Sequence, residues 1–141
     1  MKLNFCAKVM LTMVALTCCP CTHAHALTTA QIKQIEEIAQ NVAAQHNANA
    51  KTMIDDVTVS TRAVAIGRNV RLEYVLRLKK NLPPAKIREW ADATRNEILP
   101  KACQQNANNA AFDRGLFYTF SYTNTYGKKL AEFNVDKAAC K

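Results

Sequence analysis

Two stretches in which apolar and polar residues alternate constrain the fold of this chain more than any other feature. The first reads DDVTVSTRAVAI, turns at Gly67-Arg68-Asn69 and continues as VRLEYVLRLK. The second reads LFYTFSYT, turns at NTYG and continues as KKLAEFNV. Alternation that is rich in β-branched and aromatic residues is typical of strands that bury one face. The sequence therefore predicts two β-hairpins, the first with strands over about Val57–Ile66 and Val70–Lys79.

A helical pattern precedes each hairpin. Thr28 and Gln31 have the spacing of a capping box, and apolar residues recur at helical spacing after them, so we expect a helix over about Thr29–Asn47. Pro83-Pro84 opens a second helix, because proline fits the first turn. Pro100 disfavours helical geometry in the residue before it, so we expect this helix to stop close by. The segment QQNANNAAFDRG is then expected to form only a short helical turn.

The predicted order of elements is α-β-β-α-β-β. The aromatic residues of the strands share the apolar phase, which indicates a packed core on that side, although tyrosines could instead line a shallow groove for a sugar or a peptide. These residues are Tyr74, Tyr118, Phe120 and Tyr122, and Trp90 is expected to anchor the second helix to them. We predict a single α+β domain over residues 27–141, in which two helices cover one face of a four-stranded antiparallel sheet.

The amino terminus has the three-part layout of a secretory signal peptide. Lys2 and Lys8 form a positive region, and the run VMLTMVALTCC that follows is shorter than the roughly 20 residues of a membrane span. Ala24-His25-Ala26 then presents small residues at the positions that a signal peptidase reads. We expect residues 1–26 to be removed after Ala26, which leaves a periplasmic or secreted protein with no transmembrane segment in its mature chain.

Removal of this segment takes away four of the six cysteines and leaves Cys103 and Cys140. An even pair in an exported protein most often forms a disulfide, so we predict that these two are joined. The stretch CCPCTHAHA carries several metal-binding side chains, but on one short arm without a matching second pair, so we expect no metal site there. Attachment of lipid to Cys18 or Cys19 is the alternative to cleavage after Ala26.

The sequence after residue 26 contains no recognisable catalytic motif. His46 is the one histidine of that part, and no nucleophile or orienting acid accompanies it. Asp55-Asp56 lacks the further oxygen ligands of a calcium loop, and we expect it to mark the edge of the first strand. The three glycines form no phosphate-binding loop. We therefore expect no enzyme activity, no metal and no cofactor.

The charge of the chain indicates an acidic partner. The net charge is +8, and loss of Lys2 and Lys8 leaves about +6. Such a balance favours anionic lipid, lipopolysaccharide or an acidic protein, and export makes nucleic acid an unexpected partner. We predict a basic docking face on the side of the first hairpin opposite the apolar phase, for an acidic protein or an envelope surface; a merely solvated face is the alternative. Its residues are Arg62, Arg71, Arg77, Lys79 and Lys80.

Five pieces of the chain, between Asp55 and Cys140, share their order and spacing with known proteins. The pieces are DDVT, NVRLEYVLRL, ILPKAC, GLFYTFSYTNTYG and FNVDKAAC. They resemble a family of small exported bacterial proteins that have a Tyr-rich hairpin, a cysteine after the second helix, a Tyr-x-x-x-Tyr segment, a turn glycine and a terminal cysteine. That family has no established activity, so the resemblance implies export and a fold without implying a function.

These observations favour a small non-catalytic binding or accessory protein of the envelope, for instance in a transport or conjugation assembly. The alternative is a secreted inhibitor or immunity-like module that blocks one enzyme. A small hydrolase is less favoured than either, because no group of residues is arranged for catalysis.

Processing of the amino terminus gives a first testable prediction. The exported protein should begin at Leu27, because Ala24-His25-Ala26 follows the apolar run directly. Intact-mass measurement of the exported product checks this. A diacylglyceryl adduct on Cys18 or Cys19 would contradict it and would make the protein a tethered lipoprotein.

Overall fold

A computed structural model describes residues 26–141; the predicted signal peptide and its Cys and His cluster lie outside these residues apart from Ala26. The elements follow the predicted order, with one short α-helix in the segment expected to form a short helical turn and one 3-10 helix added. They are α1 (Thr29–Asn49), a 3-10 helix (Ala50–Met53), β1 (Thr58–Ile66), β2 (Asn69–Leu76), α2 (Pro84–Gln105), α3 (Ala110–Asp113), β3 (Phe117–Asn124) and β4 (Lys129–Val135). The α+β fold is therefore confirmed. Within residues 26–141, no helix has the length and apolar character that crossing a membrane requires.

The four strands form one sheet in the order β1-β2-β3-β4. β1 pairs with β2 and β3 pairs with β4 in antiparallel fashion, but β2 and β3 are parallel. The prediction of an antiparallel sheet is therefore wrong for the central pair. A parallel pair needs a long crossover connection, and α2 supplies it by carrying the chain from the end of β2 to the start of β3. Alternation of residues in a strand is the same in either direction, so the sequence pattern does not reveal this.

Both helices lie on the same face of the sheet, as predicted. His46 of α1 contacts Tyr74 of β2 edge-on, with ring centroids 6.1 Å apart. Trp90 of α2 contacts Tyr122 of β3 in the same way at 5.5 Å, and Tyr74 and Tyr122 stack at 5.0 Å. The aromatic phase of the strands is therefore the core side, and Trp90 joins α2 to it.

Helix α1 packs closely on β1 and β2 because its sheet-facing residues are small. Its start is fixed by the predicted capping box, in which the hydroxyl of Thr28 accepts from the backbone N–H of Gln31 at 3.2 Å. Ile35, Ala39 and Ala43 are its buried residues. Two alanines among three contact positions let the helix backbone approach the sheet.

Helix α2 continues past Pro100 to Gln105, beyond the predicted end. Proline removes one helical hydrogen bond and crowds the carbonyl four residues earlier, which is a local cost. Residues beyond it are held by tertiary contacts: Ala102 is buried, and Cys103 packs against the core. These contacts offset the local cost, so the helix keeps its course through the proline.

A disulfide joins Cys103, near the end of α2, to Cys140 in the tail after β4, with their Cα atoms 5.4 Å apart. This is the predicted pairing. The loop that it closes spans 37 residues and includes α3, β3 and β4. The bond therefore ties the carboxyl-terminal half of the sheet to the helix that covers it.

Removal of this bond should destabilise the protein. Replacing Cys103 and Cys140 together with Ser should lower the free energy of unfolding by about 2–5 kcal/mol, because the unfolded chain regains the freedom that the loop closure removes. Urea unfolding of the variant measures the change. Reduced wild-type protein is the control and should unfold at the same urea concentration as the variant. Two freely alkylated thiols in native protein from an oxidising compartment would contradict the pairing.

Candidate docking surfaces

The face of the sheet opposite the helices carries a continuous set of ion pairs, which we call the polar lattice. Arg71 of β2 binds Glu73 through Nε at 3.1 Å and Glu132 of β4 through Nη2 at 2.6 Å. Arg62 of β1 pairs with Glu73, and Lys129 pairs with Glu132 at 2.8 Å. Three cations thus share two carboxylates across all four strands, so this face carries little net charge.

The polar lattice also covers the strand beneath it. Nη2 of Arg71 donates to Oγ of Ser121 on β3 at 3.2 Å, so the guanidinium reaches from β2 across β3 to β4. The hydroxyl Oγ1 of Thr119 lies 3.1 Å from Oδ1 of Asn69 and 2.9 Å from Oδ1 of Asn134. Thr119 and Ser121 are 5% and 6% exposed, although none of the elements between residues 26 and 141 packs on this side. The guanidinium of Arg71 and two asparagine side chains therefore replace a second layer of structure here.

The polar lattice lowers the pKa of both of its carboxyls. Partial burial raises the pKa of Glu73, but hydrogen bonds from Arg62 and Arg71 outweigh it and leave this pKa below the ordinary value of 4.5. Hydrogen bonds from Lys129 and Arg71 lower the pKa of Glu132 against a smaller effect of burial. Both side chains are therefore ionised at neutral pH and hold their cations in place.

A groove of about 410 Å³ lies over β1 to β3 beside the polar lattice. Hydroxyls and lattice side chains form most of its walls. Its lining residues are Ser60, Thr61, Arg62, Arg71, Glu73, Val75, Ser121 and Thr123. Its charged groups already have partners, so the groove offers mainly hydroxyls to a ligand.

The five cations of the predicted basic docking face lie in two strands and in the connection to α2. Arg62 and Arg71 lie on the open face, where carboxylates engage both. β2 ends at Leu76, so Arg77, Lys79 and Lys80 follow it in the connection to α2. No ion pair within the described chain involves these last three. The formation of one basic docking face by the five, and its binding of an acidic partner, stay a prediction.

The sequence analysis missed the polar lattice because its decisive contact is long-range. Arg71 and Glu132 are 61 residues apart and meet only through the β2–β3 pairing. The one available signal was the pair of glutamates in the outward phase of β2 and β4, at Glu73 and Glu132. A pair of outward carboxylates beside outward arginines indicates mutual pairing as readily as a basic face.

A second groove, of about 390 Å³, is apolar and lies between α2 and the connection that precedes it. We call it the apolar groove. It is lined by Leu78, Leu82, Lys86, Glu89, Trp90 and Ala93. Lys86 and Glu89 pair with each other at 2.8 Å on its rim, so the walls are left to leucine, tryptophan and alanine. The indole of Trp90 therefore has two roles, since it packs on Tyr122 and also forms part of this groove.

The remaining titratable residues that the sequence singled out are structural. Nε2 of His46 lies 2.8 Å from Oγ1 of Thr61, and burial lowers the pKa of this histidine. The carboxylate of Asp55 accepts from the backbone N–H groups of Val57 and Thr58, which lowers its pKa and fixes the entry to β1. Among residues 26–141 there is no group of three or more His, Cys, Asp or Glu residues that could hold a metal.

Comparison with known proteins finds similarity in structure alone. No model of a known protein family matches the chain, and no curated protein matches its sequence. The pilotin EpsS of the Vibrio vulnificus type 2 secretion system has a TM-score of 0.63 at 17% identity, over 81% of this chain and 98% of that one. The pilotin AspS of the Vibrio cholerae type II secretion system has a TM-score of 0.50 at 22% identity, over 79% and 96%.

A "putative secreted protein" of Pseudomonas aeruginosa has a TM-score of 0.63 at 13% identity, over 82% of this chain and 100% of that one. All three sequence identities lie below 25%, so the similarity to these structures shows a common fold and nothing about function. The described domain of this chain corresponds to nearly the whole of each neighbour, which makes the fold itself, and not a fragment of it, the shared unit.

The polar lattice yields a prediction with a pH dependence. Replacing Arg71 with Gln should lower the free energy of unfolding by about 1–3 kcal/mol at neutral pH, because two partly buried carboxylates lose a shared partner. Both carboxyls have a folded-state pKa below their ordinary value, so the stabilisation is complete above the ordinary pKa and is lost as the pH falls through the lower one. Urea unfolding at about pH 7 and about pH 3 should show the difference between the two proteins shrinking.

Lys86 provides the matched control, since it forms an ion pair in which both partners are largely exposed. Replacing Lys86 with Gln should change the unfolding free energy by no more than about 0.5 kcal/mol at either pH. Equal effects of the two substitutions at neutral pH, or a loss in the Arg71 variant that persists at low pH, would show that the polar lattice does not act as described.

Proposed function

We propose that this protein is a non-catalytic, pilotin-like accessory of an envelope secretion assembly, exported from the cytoplasm and binding one component of that assembly. The observation that carries the proposal is the common fold with two pilotins of type II secretion systems, over 98% and 96% of their lengths. One disulfide cross-links the α+β domain, which suits an oxidising compartment such as the periplasm.

The apolar groove is the surface that best fits the binding of a partner segment. The apolar groove is concave and open to solvent, and Leu78, Leu82 and Trp90 line it. A partner can bury an apolar side chain of its own there. Burial of one leucine-sized side chain contributes about 1.5–3 kcal/mol. The Lys86–Glu89 pair on the rim provides polar contacts of both signs, as at the edge of an ordinary protein interface.

Ala93 gives a means of blocking this groove without adding charge. It lies exposed on the wall formed by α2, so a Gln there fills the groove and faces solvent at little cost to folding. Ala44 is an exposed alanine of α1 and provides the matched control.

The test is genetic and is made in the source bacterium. Deletion of the gene should lower the output of the cell's type II secretion system, and the wild-type gene and Ala44→Gln should restore it. Ala93→Gln should fail to restore it, although the variant reaches the same level in the envelope. Crosslinking should capture a component of the assembly with wild type and not with Ala93→Gln. Unchanged secretion after deletion, with no component captured, would refute the proposal.

A further inference from the structure

Three connections meet at one end of the sheet. Thr58 at the start of β1 pairs with Leu76 at the end of β2, and Leu76 pairs with Asn124 at the end of β3. β4 starts there as well, because it follows β3 through a tight turn. We call this end the loop end, formed by residues 50–57, 77–83 and 125–128.

Direct contacts hold the three connections of the loop end together. The backbone N–H of Arg77 donates to the carbonyl of Val57 at 2.7 Å, which joins the first connection to the second. Nζ of Lys80 lies 5.8 Å above the ring of Tyr126, and Nζ of Lys128 donates to the carbonyl of Leu82 at 3.4 Å. The loop end is therefore one continuous surface.

Most of the large hydrophobic side chains that residues 26–141 expose are at the loop end. Met53 is 38% exposed, Ile54 49%, Val57 48% and Tyr126 61%. Val64 and Ile66 are the two others among these residues, and both lie in β1 away from this end. The turn that carries Tyr126 is held by the side chain of Asn124, whose Oδ1 accepts from the N–H groups of Tyr126 and Lys128.

Cations surround these apolar side chains. The loop end has five of them against two carboxylates, Asp55 and Asp56, and the carboxylate of Asp55 is occupied by backbone N–H groups. The five are Lys51, Arg77, Lys79, Lys80 and Lys128, all exposed, and none is in an ion pair within the part of the chain that the structure covers.

From this juxtaposition we propose that the loop end docks on an anionic phospholipid membrane surface. Its exposed apolar side chains belong to two of the three connections, and its cations belong to all three. Cations next to projecting apolar side chains match a bilayer interface, where headgroups are negative and the region beneath them is apolar. A tyrosine at the tip suits the same boundary, since its ring is apolar and its hydroxyl polar.

A protein partner fits these observations less well. A protein segment is best held where side chains converge on a concave site, as they do in the apolar groove, which lies along α2. At the loop end the exposed apolar side chains are distributed over two connections with cations in the same connections, and none of them lines the apolar groove. The inference is tested independently of the proposed secretion function, because the side chains that it uses do not line the apolar groove and the test uses purified protein. Leu78 and Leu82 of that groove lie in one of the same connections.

The experiment uses the exported protein with the amino terminus that its own processing leaves. It measures how much of this protein sediments together with vesicles of phosphatidylglycerol and, separately, with vesicles of phosphatidylcholine. Binding is expected to the first and not to the second. It should weaken as salt rises, because the screening length falls from about 10 Å at 0.1 M to about 3 Å at 1 M. Replacing Lys79 and Lys80 together with Gln should weaken binding about fivefold per charge.

Two matched controls lie at the opposite end of the sheet. Lys33 of α1 and Arg114 before β3 are exposed, and replacing both with Gln makes the same change in net charge. Ile66 is 61% exposed beside the β1–β2 turn, so Ile66→Asn is the control for Ile54→Asn. We expect Ile54→Asn to weaken vesicle binding severalfold and both controls to leave it within twofold of wild type. Circular dichroism verifies that each variant is folded, and the two pairs test the same surface separately.

Several results would overturn the inference. Absence of binding to anionic vesicles does so, and so does equal binding to neutral ones. If replacing Lys79 and Lys80 weakened vesicle binding no more than replacing Lys33 and Arg114, the effect would come from net charge and not from the loop end. Capture of an acidic protein by the loop end of a chain that ignores vesicles would assign the surface to a protein partner. A negative result with vesicles does not affect the secretion test, because the two tests use different substitutions. Ala93→Gln should bind vesicles like wild type.

Discussion

The parallel pairing of β2 with β3 is the constraint on which the rest of the structure depends. It places Tyr74 beside Tyr122 and Arg71 beside Thr119, within reach of Glu132 on the next strand. If β3 ran the other way, its start would lie beside Leu76, and the turn after Asn124 would lie beside the β1–β2 turn. The three connections of the loop end would then not meet, and the aromatic stack and the polar lattice would have different partners.

The two faces of the sheet are shielded from water in different ways. Aromatic side chains on one face need an apolar cover, and α1 and α2 provide it with small residues, an isoleucine and Trp90. The other face needs no such layer, since its charged side chains satisfy each other, Arg71 contacts Ser121, and asparagine side chains contact Thr119. Exposed ion pairs contribute little individually, but partners fixed on neighbouring strands lose less side-chain freedom when they pair.

Under the two proposals, the domain binds a protein and a membrane through adjoining surfaces, since Leu78 and Leu82 of the apolar groove lie in one connection of the loop end. The apolar groove runs beside α2, whereas the loop end faces along the strands. A small domain that engages a secretion component on its side and a lipid surface at its tip would hold that component close to the membrane.

Local features of the sequence determined the elements. The capping box at Thr28, the two alternating hairpins, the aromatic phase and the pairing of the two remaining cysteines follow from spacing, turn chemistry and a count. Tertiary structure decided the direction of β3, the course of α2 through Pro100 and the end of β2 at Leu76, before Lys79. The physical reason is range. Periodicity and capping depend on neighbours a few residues away and read the same in either strand direction. Strand pairing, the polar lattice and the loop end depend instead on where the crossover that contains the 22-residue helix α2 returns the chain.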